Sequence, residues 1–230
     1  MLCSRPFFMF YVDKAIKYSK SRTVLKTDSH KIIPPDALIK GYQNGIFPMS
    51  ASRHDESYEW YGARRRGIIP INDFKVSKNV RRLIRQGRYS WKVNSCFRAV
   101  ITECANRKTT WISDLIIRSY DYLNKLGYAH SVEIFDQDGN LTGGLYGVSV
   151  GSAFFGESMF NREPEADKIA LHHCHRVLDL NGYELWDTQY YTDHLAQFGC
   201  KEIPNILYLE LLEKALQKET LFDSSVIKTD

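Results

Sequence analysis

The sequence predicts a mixed α/β protein, and three observations carry that prediction. Residues 113 to 190 read in order as helix, hairpin, strand, helix and strand, a succession that builds a sheet with helices packed on it. Residues 31 to 108 alternate short strand-like and helix-like runs, which predicts a smaller α/β unit ahead of it. The composition, 43% hydrophobic and 25% charged over 230 residues, is that of an ordinary globular chain with room for a substantial core. The expected division is an N-terminal extension over 1–30 with no assigned role, a small α/β domain over 31–108 and a larger domain over 109–230.

The extension opens on an apolar run, Phe7 to Val12, followed by Lys14, Lys17, Lys20, Arg22 and Lys26. A secretory leader places its charges before the apolar core, so the reversed order predicts a helix or strand packed on the body; a transit peptide is the alternative. Pro34, Pro35 and Asp36 start a helix that runs over 37–44 until Gly45 stops it, and Ile46, Phe47 and Pro48 form a loop. Polar residues 51–59 turn the chain. Trp60 and Tyr61, then 67–70, read as a short strand broken by Arg64, Arg65 and Arg66. Ser77 caps a basic helix to Gln86, residues 91–94 are strand-like, and Ser95 caps a helix to about Asn106. An amphipathic helix over 113–126 ends at Gly127. Strands at 129–136 and 141–148 flank a turn at 137–140, where Asp138-Gly139 is a hairpin signal. A strand at 151–156, a helix at 167–180, a strand at 184–189, a short helical turn at 194–198 and a last helix at 206–217 complete the chain.

The net charge of +4 and a pI of about 8.7 fall well short of a histone-like binder, so any RNA contact must come from a local patch. Five cysteines, at 3, 96, 104, 174 and 200, form no C-x-x-C pair, which predicts reduced thiols and a cytoplasmic protein. No apolar run approaches the roughly 20 residues that cross a bilayer, so a soluble protein with no membrane partner is expected.

Two stretches concentrate chemistry. Gly143-Gly-Leu-Tyr-Gly-Val148 leads to Phe154-Phe-Gly-Glu-Ser-Met-Phe160, a glycine-spaced β segment carrying one carboxylate, Glu157. Asp187-Thr-Gln189 follows, and on a regular strand residues two apart share a face. A carboxylate beside an amide suits proton handling and the orientation of an amine or carbonyl. Taken alone, an Asp-x-Gln more often caps a turn at a strand end. His172-His-Cys-His175 is no metal motif, because consecutive helical residues point in different directions and only 172 and 175 share a side. No metal is expected, and His194 is read as a packing or capping residue.

These phrases, together with Gly41-Tyr-Gln-Asn-Gly-Ile-Phe-Pro48, Thr110-Trp-Ile112 and Gly127-Tyr-Ala-His-Ser-Val-Glu133, resemble the leucyl/phenylalanyl-tRNA–protein transferases over roughly residues 32 to 215. The resemblance implies an acetyltransferase-like (GNAT) fold for the C-terminal, catalytic domain. It implies transfer of Leu, Phe and less readily Met from aminoacyl-tRNA to the N-terminal Arg or Lys of a protein, marking that protein for N-end-rule degradation. It also implies that Asp187 and Gln189 are the catalytic pair, with Glu157 binding the aminoacyl amine or the ribose. Around them, Phe154, Gly156, Ser158 and Met159, with Phe155 and Trp186, supply the candidate aminoacyl pocket. Tyr42, Met49 and Trp111 stand where the family receives its acceptor, Met49 replacing the Trp of many relatives. His173 matches a histidine of the family and is read as structural.

Arg65 and Arg66, with Lys78, Arg81, Arg82 and Arg85 on one helix face, are the candidate tRNA-phosphate contacts. No organic cofactor is expected: where acetyltransferases open a helix with a glycine-rich pyrophosphate loop, this chain has Asn161-Arg-Glu-Pro-Glu-Ala-Asp167. A monomer is expected. The rival readings are a non-catalytic tRNA- or degron-binding module and a GNAT-like acyltransferase with another donor.

Overall fold

A computed structural model describes residues 15–21, 25–27 and 30–227; the Phe7–Val12 run lies outside them. The elements, in order, are β1 (Ala15–Ser21), β2 (Leu25–Thr27), β3 (His30–Ile32), α1 (Pro35–Gln43), β4 (Phe47–Met49), β5 (Tyr58–Ala63), β6 (Arg65–Ile68), α2 (Lys78–Arg85), β7 (Ser90–Val93) and α3 (Phe97–Ala105). They continue with α4 (Asp114–Lys125), β8 (Ala129–Phe135), β9 (Leu141–Val150), β10 (Ala153–Asn161), α5 (Ala166–Leu180), β11 (Leu185–Gln189), α6 (Asp193–Ala196), β12 (Lys201–Pro204) and α7 (Asn205–Leu216).

A seven-stranded sheet in the order β12-β6-β11-β10-β9-β8-β7 organises these elements, beside a three-stranded sheet β1-β5-β4 and the pair β2-β3. All neighbours in the large sheet are antiparallel except β10 and β11. Strands β6 and β7 come from before residue 108 and the others from after it, so the division expected there does not separate two sheets. Side chains of α1, α3, α4 and α7 form one core with Tyr146, Val148 and Phe155. The opposite face packs Val80 and Leu83 of α2 and the apolar side of α5 against Val132, Leu145, Phe154 and Trp186. The sheet is thus covered on both faces, as a mixed α/β chain requires.

The helix starts follow from side-chain chemistry. Ser77 accepts a hydrogen bond from the Val80 N–H at 3.2 Å, and Ser113 accepts one from the Ile116 N–H at 3.2 Å, each satisfying an otherwise orphaned donor. Ser95 does not cap α3. Cys96 occupies that position without a side-chain bond, and the work passes to Glu133 of β8, which accepts from the Ser95 hydroxyl at 3.1 Å and the Cys96 N–H at 3.4 Å. Phe47 and Pro48, expected as loop with Ile46, instead join Met49 in β4 by pairing with β5. Strand β10 runs to Asn161, well past the expected end at 156, because a bulge between Gly156 and Ser158 lets it resume pairing with β9.

Candidate active site

Strands β10 and β11 are hydrogen-bonded neighbours only where Ala153–Phe155 meets Leu185–Asp187. Beyond that point β10 bulges against β9, while β11 bulges against β6 between Asp187 and Gln189. Gln189 takes a left-handed conformation, φ 58°, uncommon for a residue with a side chain. The two strands part, and a cavity of about 680 Å³ occupies the gap. Glu157, Ser158, Met159 and Gln189 line it beside Tyr146, while Met49 and Trp111 close one side. Those two are held together because the Ser50 N–H donates to the Trp111 carbonyl at 3.1 Å and the Ser50 and Ser113 hydroxyls bond at 2.9 Å.

Asp187 lies behind this cavity rather than on its wall, and it is fully buried. Arg66 donates Nε to its Oδ1 at 2.9 Å and Nη2 to its Oδ2 at 2.6 Å. The Tyr208 hydroxyl donates to Oδ2 at 2.8 Å, and the Gln189 backbone N–H donates to Oδ1 at 2.8 Å. Four donors fill the acceptor capacity of a carboxylate. Burial opposes the Arg66 charge, but the facing Asp187 more than offsets it and holds the guanidinium pKa above its usual value. Arg66 also donates Nη1 to the Gly45 carbonyl at 2.8 Å, and it lies over the rings of Phe47 and Tyr208 at 5.0 and 4.4 Å. Gly45 is required there: its φ is +71°, and a Cβ would come 2.9 Å from the Tyr208 ring.

The cavity side is different. Glu157 Oε1 accepts from the Tyr42 hydroxyl at 2.8 Å, and that hydroxyl also bonds Tyr120. Burial pushes the Glu157 carboxyl up to about 8; the Tyr42 bond pulls it back, Asp187 adds to the rise and Arg66 subtracts. Glu157 is therefore mostly neutral at pH 7 and exchanges its proton at mildly alkaline pH. Gln189 Nε2 is enclosed and has no hydrogen-bond partner. Leu145, Phe154, Met159, Leu171 and Trp186 form an apolar recess of the same cavity.

The profile of the leucyl/phenylalanyl-tRNA protein transferase family matches residues 68–213, and that of its N-terminal domain matches residues 32–64. The leucyl/phenylalanyl-tRNA–protein transferase of Rhodopseudomonas palustris (strain TIE-1) is 47% identical over 83% of this chain and 86% of its own length. Those of Ruegeria pomeroyi and Paramagnetospirillum magneticum are 46% and 44% identical over 80% and 82% of this chain, covering 87% and 91% of theirs. The chain belongs to this family. Among solved structures, L-PGS from Bacillus licheniformis matches at a TM-score of 0.44 and 12% identity, over 80% of this chain and 71% of that one.

Against the family expectations, the cavity gathers Met49, Trp111, Phe154, Gly156, Glu157, Ser158, Met159, Trp186 and Gln189. Tyr42 is fully buried and meets Glu157 from behind, so it supports the carboxyl rather than lining an acceptor site. Phe155 packs on the other face of β10, 4.8 Å from the Tyr42 ring, and belongs to the core. The expectation that Asp187 and Gln189 share one strand face fails at the bulge; Asp187 grips the backbone of Gln189, not its amide.

Arg66 leaves the basic patch altogether, because a fully buried guanidinium committed to Asp187 has no surface from which to meet a phosphate. Arg65, one residue away on β6, points outward and pairs with Glu202 at 2.7 Å. Lys78, Arg81, Arg82 and Arg85 are exposed on α2, and Lys78, Arg81 and Arg85 edge a hollow of about 500 Å³ shared with His172 of α5. The other histidines turn elsewhere: His173 stacks on Trp91 at 4.4 Å, and His175 stacks on Phe74 at 4.3 Å with Nε2 2.8 Å from the Ile71 carbonyl. Thr192, not His194, caps α6, and His194 lines the cavity with its ring 5.9 Å from that of Phe198. Among the described residues, no three His, Cys, Asp or Glu side chains are grouped to hold a metal.

Sequence reasoning missed Tyr120, Tyr146 and Tyr208. Tyr120 and Tyr208 left a trace, in buried stripes with Ile116 and Leu123 on α4 and with Leu212 and Ala215 on α7.

Proposed function

We propose that the cavity between β10 and β11 receives the 3′ end of a charged tRNA, with the amino-acid side chain in the recess of Leu145, Phe154, Met159, Leu171 and Trp186. Family membership carries the reaction class, in which an aminoacyl group passes from tRNA to a protein. The observation that supports the finer reading is the pairing of an apolar recess with a neutral-leaning carboxyl and a free amide donor in one wall. An apolar recess favours Leu, Phe and Met over polar side chains but separates those three only modestly.

The acceptor is a protein whose first residue is Arg or Lys. Its α-amine arrives neutral, the ammonium proton having gone to solvent; as it attacks the ester carbonyl it gives a second proton to ionised Glu157, and Gln189 Nε2 donates to the oxygen that becomes negative. The C–O bond to the ribose then breaks, and the 3′-oxygen leaves with a proton from Glu157. Asp187, its hydrogen-bonding capacity filled, positions Gln189 and does not exchange protons itself. Arg65, Lys78, Arg81, Arg82 and Arg85 hold acceptor-stem phosphates as a sequence-independent positive surface. The reading treats the protein as a monomer. The cytoplasm, where charged tRNA is available, is the compartment it requires; no helix among the described residues is long and apolar enough to cross a membrane.

The test is transfer of labelled leucine from Leu-tRNA to peptides beginning with Arg, Lys or Ala. Label on the Arg and Lys peptides alone supports the reading. Equal labelling of the Ala peptide contradicts the acceptor assignment, and tRNA binding without label on any peptide contradicts the reaction.

A further inference from the structure

Tyr146 of β9 is fully buried, its hydroxyl has no hydrogen-bond partner, and it lines the same cavity as Glu157 and Gln189. An enclosed hydroxyl without a partner destabilises the folded chain, so its presence calls for an explanation. The ring itself is fixed: Phe97 and Tyr120 pack edge-on against it, each with centroids 5.9 Å away. Its backbone neighbour across the bulge is Ser158, next to Glu157; burial first, and then Glu157 whenever it is ionised, hold the proton on the hydroxyl. The hydroxyl is therefore a rigid, protonated donor at a dry position, on the strand flanking Glu157 opposite to the one that carries Gln189.

We infer that Tyr146 is a catalytic residue whose hydroxyl donates a hydrogen bond to the negatively charged oxygen of the tetrahedral intermediate. This rests on the transferase reading above. When the C–N bond forms, the carbonyl π electrons move onto oxygen, and the orphaned Tyr146 O–H gains its missing acceptor. When the C–O bond to the 3′-oxygen breaks, the pair returns to the carbonyl and the hydroxyl is orphaned again. The proton lost by the amine travels through Glu157 to the leaving 3′-oxygen, so Tyr146 keeps its own proton throughout. A donor satisfied only at the intermediate lowers the barrier without tightening substrate binding.

Tyr146→Phe removes one oxygen atom and keeps the ring. The expected result is a fall in kcat of roughly a hundredfold with KM for Leu-tRNA nearly unchanged, accompanied by a thermal midpoint equal to or above wild type because an unsatisfied group has gone. A hydroxyl with a purely structural role cannot move kcat down and stability up together. A second measurement compares binding of a phosphonate mimic of the tetrahedral carbon with that of an amide-linked, ground-state Leu-adenosine analogue. Wild type should prefer the phosphonate, and Tyr146→Phe should lose that preference by tenfold or more. Wild-type kcat in the variant, or equal weakening of both analogues, overturns the assignment. Absence of transfer by wild type itself would instead remove the transferase reading on which it stands.

Discussion

The two sides of the β10–β11 gap differ in how completely their polar groups are satisfied. Behind the cavity, Asp187 has a donor for every lone-pair site: two from Arg66, one from Tyr208 and one from the Gln189 backbone. On the cavity wall, Gln189 Nε2 and the Tyr146 hydroxyl have none, and Glu157 has one bond, to Tyr42. A saturated network is rigid and chemically quiet, whereas enclosed groups left without partners store interaction energy for a ligand. The difference divides the site into a part that sets geometry and a part that reacts.

The most damaging way to break this contrast is to unbalance the saturated side. Asp187→Ala leaves a buried guanidinium without its counter-charge, and the expected loss is about 3–5 kcal/mol, read as a lower urea midpoint, with transfer activity lost as Gln189 drifts. Asp187→Asn, which leaves Arg66 equally uncompensated, should share the stability defect; if it unfolds like wild type, the ion pair is not the anchor described.

On the reactive side, Glu157→Gln should change the pH dependence of stability. A native carboxyl titrating near 8 holds its proton after the unfolded chain has released its own. Wild-type stability should therefore fall as pH rises from the unfolded carboxylate range towards 8. The Gln variant should lack that decline in paired melts at pH 5, 6.5 and 8, and parallel curves for the two proteins would contradict a raised Glu157.

Gln189→Ala sharpens the comparison further. Its amide holds no partner in the folded chain, so the melting curve should barely move while kcat falls by roughly a hundredfold. The smallest effects belong to the outer surface. Ala in place of Lys78, Arg81 or Arg85 should raise KM for charged tRNA a few-fold, reduce the salt slope of its binding by about 1 each and leave KM for the peptide unchanged. A shift in the peptide term would place α2 on the wrong substrate.

The sequence made some of this legible and hid the rest for physical reasons. Helices α2 and α4 were readable because Ser77 and Ser113 cap them locally, and the 137–140 turn because Asp138-Gly139 is a local signal. Ser95 looked like a third cap, but the carboxylate that does the job arrives from Glu133, 37 residues away from Cys96. The motif residues Glu157 and Gln189 were found through family likeness, yet their geometry was not, since both flank bulges that shift the register. An Arg-Arg-Arg run reads as surface, yet the fold buries Arg66 against Asp187. β6 exposes Arg65 and buries both Arg66 and Gly67, so no simple alternation marks the inward residue. Tyr146 sits in a glycine-rich β stretch, where nothing local distinguishes a core tyrosine from one that meets substrate.

The central claim is that the unsaturated wall, through Glu157, takes the proton of the attacking amine. The most direct measurement is kcat for leucine transfer to an Arg-initiated peptide, from pH 6 to 9, for wild type and Glu157→Gln. The account predicts a wild-type rate that climbs as the carboxyl ionises towards pH 8, and a variant that is slow and lacks that limb. A Glu157→Gln enzyme that keeps both the wild-type rate and its pH profile would contradict it.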